Sequence, residues 1–168
     1  DLLTWDVTPG QAGARACTQA VLEQVAACWD SGADLVLLPE FTWMMLEPCL
    51  PKSADPLRAV ATQFWEQELP VLRETLTHPD KAAVLGTCPF WDSDTSQLFN
   101  RSPILRGAEL LHQDKLHLTP WEDAFSPGAA VNLFTFKDLT FAVIICLDIE
   151  VPELSALLRG RGVDVILC

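Results

Sequence analysis

The stretch "TFAVIICLDIEVPELSALLRG", Thr140 to Gly160, carries the first decision about the fold. An apolar run climbs through Phe141, Ala142, Val143, Ile144 and Ile145 and stops on a thiol, Cys146. Asp148 follows, then Pro152-Glu153, which opens a helical pattern reaching about Arg161. A continuous apolar run bounded by a helix start predicts a buried strand that hands over to a helix. A cysteine at that handover is either a small core hydrophobe or a nucleophile presented at the end of a sheet.

Working outward, the same alternation recurs. Apolar residues at Cys17, Val21, Leu22, Val25, Cys28 and Trp29 predict a helix from Ala14 to Asp30, with Ser31-Gly32 as its stop. Leu35 to Leu38 reads as a strand buried on both faces, ended by Pro39, with Glu40 at its carboxyl end. Asp55-Pro56 opens a second helix, which Pro70 must kink or split. A strand is predicted from Ala82 to Phe90. Two hairpins follow: 98–105 with 109–116 about Arg106-Gly107-Ala108, and 131–136 with 139–146 about Lys137-Asp138. A last strand spans Val163 to Cys168, and another is expected at Leu2 to Trp5. This order predicts an α/β (α+β) domain with a mixed sheet, a single unit over residues 1–168. Both ends lie inside predicted strands, so a fragment of a longer protein is expected.

Composition narrows the function classes. The 168 residues are 49% hydrophobic, with 8 Phe and 6 Trp, which is ample for a core. No apolar run approaches the roughly 20 residues needed to cross a bilayer. A formal charge of −12 with no Lys/Arg cluster disfavours nucleic acid and anionic membrane surfaces as partners. Six cysteines show no Cys-x-x-Cys pair, and three histidines show no His-Glu-x-x-His spacing, so no metal is expected. In so long and core-rich a chain, Cys17, Cys28, Cys49, Cys88 and Cys168 read as reduced core thiols of a cytoplasmic protein. Asn100-Arg101-Ser102 matches a glycosylation sequon whose use Pro103 disfavours.

Three reactive groups end predicted strands: Glu40 in "LVLLPE", Lys115 in "LLHQDK" and Cys146 in "AVIIC". Sites in helix-covered sheets form at such ends, because side chains there leave the core and reach a ligand. A cysteine attacks as thiolate, a carboxylate takes its proton, and an ammonium stabilises an oxyanion. The Leu147 N–H adds a second oxyanion donor, and Glu122 is placed to hold Lys115 charged. Singly, each has a plainer reading: Cys146 as packing, Glu40 as a cap, Lys115 and Glu122 as solvated charges, His117 as a packing or hydrogen-bonding residue. Trp43, with Met44 and Met45, is either core or pocket wall.

Taken together, "GADLVLLPEF" (Gly32–Phe41), "DKLHLTPWEDAFSPG" (Asp114–Gly128) and "AVIICLDIEVPEL" (Ala142–Leu154) resemble the three signature segments of the nitrilase, or carbon–nitrogen hydrolase, superfamily. The stretch Asn100–Lys115 resembles the hairpin preceding the family's lysine. The resemblance spans essentially the whole chain. It implies an α-β-β-α sandwich, here incomplete at the C-terminus, dimerised or further assembled through helices that include Pro152–Arg161. It implies Glu40 as general base, Lys115 as oxyanion stabiliser, Cys146 as nucleophile and Glu122 as the second glutamate beside the substrate, with no cofactor. The implied reaction is hydrolysis of a small-molecule amide to carboxylate and ammonia through a cysteine thioester. Leu147-Asp148 after the cysteine resembles the amidase branches, whereas nitrile hydrolysers carry Trp-Glu there; Glu150 stands where many amidases have arginine. Glu150, with Leu147 and Trp43, is therefore a candidate substrate-binding residue. Nitrile hydrolysis within the family, a non-catalytic binding module and a thiol redox sensor are the alternatives. A chain of these residues alone is expected to have little activity.

Overall fold

The computed structural model describes residues 10–168. The strand expected at Leu2 to Trp5 lies outside the described residues. Helix α1 spans Gln11–Asp30 and buries Ala14, Cys17, Val21, Leu22 and Val25 along one stripe, as the spacing predicts. Strand β1, Leu35–Leu37, pairs in parallel with β2, Ala82–Val84. Its faces differ, contrary to the expectation of burial on both. Val36 enters the core under α1, but Leu37 is 40% exposed, because it lies at the rim of the cavity described below.

Two departures from the expected elements shape the site. A 3-10 helix, Thr42–Cys49, follows Glu40 and turns Trp43 into the core, where its Nε1 donates to the Leu85 carbonyl at 2.7 Å. The expected strand from Ala82 to Phe90 is two strands, β2 and β3 (Cys88–Asp92), separated at Gly86 with φ +70°. A Cβ there would stand 2.3 Å from the Pro39 carbonyl oxygen, so the chain approaches too closely for any side chain.

The second helical segment runs as α2 (Pro56–Gln63), a π turn (Phe64–Glu68) and α3 (Leu69–Leu76). Asp55 caps α2 by accepting from the Arg58 N–H at 3.0 Å. Pro70 has no N–H and its ring collides with a carbonyl one turn back, so the ladder shifts to the wider repeat just before it. The predicted split is thus observed.

Strands β4 (Gln97–Arg106) and β5 (Glu109–Asp114) form the expected hairpin. On the other edge of β4, β2 and β3 pair end to end. Together with β1 these make a five-stranded sheet among the described residues. Strands β6 (Leu133–Phe136), β7 (Leu139–Val143) and β8 (Val165–Leu167) form a second sheet, with β8 parallel to β7. β7 ends at Val143, so Cys146 does not close the strand; it is the first residue of a 3-10 turn, Cys146–Glu150, that leads into α4, Pro152–Gly160.

Three apolar clusters bind the layers. Val25, Trp43, Phe64, Leu72 and Leu85 fill the space between α1–α3 and the first sheet. Ala82, Val84, Ile104, Phe134, Phe141 and Val143 fill the space between the two sheets. Ala142, Ile144, Leu154 and Leu158 join α4 to the second sheet. The result is the α-β-β-α sandwich. Fully burying each aliphatic or aromatic side chain contributes roughly 1.5–3 kcal/mol before the entropy cost of folding. Among the described residues no helix is long and apolar enough to cross a membrane.

Candidate functional site

Strands β1 and β7, one from each sheet, each end by sending the chain sideways, and each does so through a left-handed residue. Phe41, next to Glu40, has φ 57°, and Cys146 has φ 50°. Non-glycine residues hold this conformation at a cost and persist in it only where neighbours fix them. The Phe41 N–H donates to the Thr87 hydroxyl at 2.8 Å, and its ring packs 6.2 Å from that of Phe125. The loop carrying Glu40 is thereby tied to the loop carrying Glu122.

Lys115 follows β5 directly. Its N–H donates to the Asn100 carbonyl at 2.9 Å, and its carbonyl accepts from Gly128 at 2.8 Å, which fixes the backbone on both sides. The ammonium is buried, 1% exposed, and lies 2.9 Å from Glu40 Oε1 and 2.8 Å from Glu122 Oε2. Burial alone would pull this lysine down; the hydrogen bonds to Glu122 and Glu40 outweigh it and hold it above its ordinary value. For Glu122, burial pushes the other way from the bonds donated by Lys115, Thr119 and Asn100, and those bonds win, holding it below the usual glutamate range. Thr119 supplies both its N–H and its hydroxyl to Glu122 Oε2, at 2.9 and 2.8 Å. Lys115 thus stands as one cation between two carboxylates, Glu122 from the loop that follows it and Glu40 from 75 positions earlier.

Cys146 is exposed on the wall of a cavity of about 40 Å³ that Glu40 also lines. Desolvation there raises the thiol above its ordinary value, the negative charge of Glu40 raises it further, and the Lys115 ammonium and the Leu147 N–H pull against them. The net direction is upward, which favours the thiol over the thiolate.

Glu40, Lys115, Glu122 and Cys146 therefore converge. The expected substrate-binding residues divide. Leu147 is half-buried, with its N–H toward the thiol. Glu150 is exposed on the 3-10 turn and does not line the cavity. Trp43 is a correction: it is wholly buried, its ring 4.5 Å from that of Phe64, and offers no face to a ligand. Cys168 is another, for it is exposed and lines the same cavity as Cys146, while Cys28 is only half-buried.

Two polar residues of the site have no role in the sequence reading. Asn100 is 1% exposed, and its Nδ2 donates to Glu40 Oε1 at 2.9 Å and Glu122 Oε1 at 3.1 Å, bridging the two carboxylates. The same burial makes glycosylation of the folded protein at its sequon sterically impossible. Its signal lay in β4, where Leu98, Asn100, Ser102 and Ile104 alternate inward and two of the four are polar. Asp148 is wholly buried. It accepts from the N–H of Ile145, Leu116 and His117 and from the His117 ring, at 2.8 to 3.3 Å. One carboxylate thus clamps the turn bearing Cys146 to the segment after Lys115. His117 is a hydrogen-bonding residue, as one of its two readings held.

Comparison with known proteins bears on the family and the fold. The family described as "Carbon-nitrogen hydrolase" matches residues 5–168. An (R)-stereoselective amidase of Pseudomonas sp. is 28% identical over 150 residues, 87% of this chain and 51% of that protein. The chain therefore spans about half the length of this curated relative. Nit3 of Saccharomyces cerevisiae, a member of branch 10 of the nitrilase superfamily, superposes with a TM-score of 0.69 at 24% identity, over 91% of this chain and 57% of that one. A glutamate-to-glutamine mutant of the amidase from Nesterenkonia sp. AN1, showing the result of Michael addition of acrylamide at the active site cysteine, gives a TM-score of 0.72 at 18% identity, covering 91% of this chain and 59% of that one. The structural likenesses establish the fold.

Proposed function

The chain belongs to the carbon–nitrogen hydrolase family, within the nitrilase superfamily, and from that premise we propose that the complete protein hydrolyses a small-molecule amide to a carboxylate and ammonia through a thioester on Cys146. One observation carries the reading: the Lys115 ammonium is buried between Glu40 and Glu122, and Glu40 in turn lines one cavity with Cys146. A buried cation fixed by two anions costs too much desolvation to be an accident of packing.

In the proposed reaction Glu40 takes the Cys146 proton and the sulfur attacks the amide carbonyl. Lys115 and the Leu147 N–H receive the oxyanion. Glu40 returns its proton to the leaving nitrogen, and ammonia departs. Water, deprotonated by the same carboxylate, then releases the acid and regenerates the thiol. Glu122 and Asn100 do not react; they hold Lys115 charged and Glu40 aimed. Losing one oxyanion donor costs on the order of 3 kcal/mol in the barrier. The test is ammonia release by the complete protein over small amides and nitriles, beside Cys146→Ala. Release from amides that the variant abolishes supports the reading; release that survives the variant, or none from any amide, ends it.

The family resemblance also suggests a homodimer through α4, and exposed Ile149 (46%), just before that helix, and Leu157 (45%), on it, support this. Leu157→Arg in the complete protein should halve the mass measured by light scattering; an unchanged mass refutes this contact.

A further inference from the structure

Ser102 has no part in the chemistry so far, yet it sits on the inner face of β4, two residues beyond Asn100. It is 1% exposed, and its Oγ has no hydrogen-bond partner among the described residues. A buried hydroxyl without a partner costs roughly 1–3 kcal/mol, so folds rarely keep one without a use. Ser102 lines the cavity that Glu40 and Cys146 line, where most other walls, Leu37, Val84 and Val143 among them, are apolar. The second polar side chain nearby, Thr87, already accepts the Phe41 N–H. A cavity of about 40 Å³ has room for roughly one to three waters, and a water is stable there only if two or more polar groups hold it. Ser102 Oγ, the Glu40 carboxylate and the Cys146 sulfur are such a set.

We propose that Ser102 is a positioning residue that holds the hydrolytic water between Glu40 and the acylated Cys146; this rests on the thioester reading above. In the step it serves, Glu40 removes a proton from the water as the water oxygen bonds to the thioester carbon. The carbon–sulfur bond breaks, the acid departs, and the proton passes from Glu40 to the Cys146 sulfur. Acylation uses no water, so Ser102 acts on the second half-reaction alone.

That asymmetry gives the test. Ser102→Ala deletes one unpartnered atom and leaves the shape, so the variant should fold and melt at or above the temperature of the unaltered protein. With an amide the complete protein turns over, the variant should release a first equivalent of ammonia at the normal rate. Steady turnover should then fall about tenfold or more, as expected for a lost positioning contact. Acyl-enzyme should accumulate in the intact mass spectrum. Hydroxylamine, a stronger nucleophile with no need of the held water, should restore turnover as hydroxamate. Unchanged steady turnover and an unchanged ratio of acid to hydroxamate overturn the proposal. So does an equal loss in the ammonia burst and in steady turnover, which marks a general distortion. If the unaltered protein releases no ammonia from any amide, the thioester reading itself falls and this proposal with it.

Discussion

The buried carboxylate of Asp148 receives both the main-chain N–H and the ring Nδ1–H of His117, each at 2.8 Å. Through its other oxygen it holds the Ile145 N–H at 3.0 Å, one residue before the candidate nucleophile. Among the described residues its side chain bonds to none of Glu40, Lys115, Glu122 and Cys146, but the relative position of Lys115 and Cys146 depends on it. Asp148→Ala leaves several buried donors unpaired, and each bond to a charged acceptor contributes roughly 1.5–3 kcal/mol. The expected result is a loss on the order of 3 kcal/mol in chemical denaturation, with a lower kcat. His117→Ala removes one of these donors and should cost visibly less. Equal losses in the two variants would contradict this division of labour.

The pair Lys115–Glu122 predicts how stability follows pH. Glu122 is held below its ordinary value in the folded protein, so its contribution is complete above the unfolded glutamate pKa and fades as pH falls through the lowered folded one. Lys115 is held above its ordinary value, so its contribution is complete below the unfolded lysine pKa and fades as pH rises through the raised one. Glu122→Gln should therefore melt lower than the unaltered protein near neutrality, with the gap closing in acid below the usual glutamate range. Melting temperature against pH, measured for both proteins, decides it. A gap that persists undiminished into strong acid would show that packing, not charge, sets the difference.

Much of this was legible in the chain and some was not, for identifiable reasons. The apolar stripe of α1 and the hairpin about Gly107 depend on neighbours a few residues away, so periodicity finds them. The three reactive groups were visible because strand ends are marked by Pro39, by Asp114 and by the end of the apolar run at Ile145. The break at Gly86 was not visible, since it exists only because Pro39, 47 positions earlier, packs against it. Trp43 is ambiguous for the same reason: an indole three residues past Glu40 is core or pocket according to which way a 3-10 turn rotates it. Asp148 lies in a quoted motif, yet its partners at 116 and 117 are joined to it only by tertiary structure.

Glu40 has two opposing effects on Cys146, and a substitution separates them. Its charge raises the thiol, while in the proposed reaction its basicity removes the thiol proton. Glu40→Gln removes the charge and leaves the pull of Lys115 unopposed at that point. The variant should lose amide hydrolysis by roughly 10²–10⁴-fold, the usual scale for a general base. Yet its Cys146 should be alkylated by iodoacetamide at lower pH than in the unaltered protein. Labelling followed by peptide mass spectrometry across pH reads the midpoint at this one cysteine. A midpoint that stays put or rises would mean that Glu40 is not the charge the thiol feels.

Gly86 tests whether the site needs the close approach between β2 and the turn after β1. Its φ of +70° disfavours any side chain, and a Cβ would meet the Pro39 oxygen at 2.3 Å and the Thr42 hydroxyl at 2.5 Å. Pro39 precedes Glu40, so relief of the clash must move the backbone that aims the carboxylate. Gly86→Ala should cost about 1–3 kcal/mol of stability, the scale of a residue forced into a poorly populated backbone region. Activity should fall further than stability explains, because a displacement near 1 Å of a catalytic group can cost about a hundredfold. Gly160→Ala is the control: nothing lies within 4 Å of its added methyl, its φ is not positive, and it ends α4, where alanine favours helix. Stability loss in Gly86→Ala with full activity per folded molecule would mean that Glu40 is held by Lys115 and Asn100 alone, independently of the Pro39 contact.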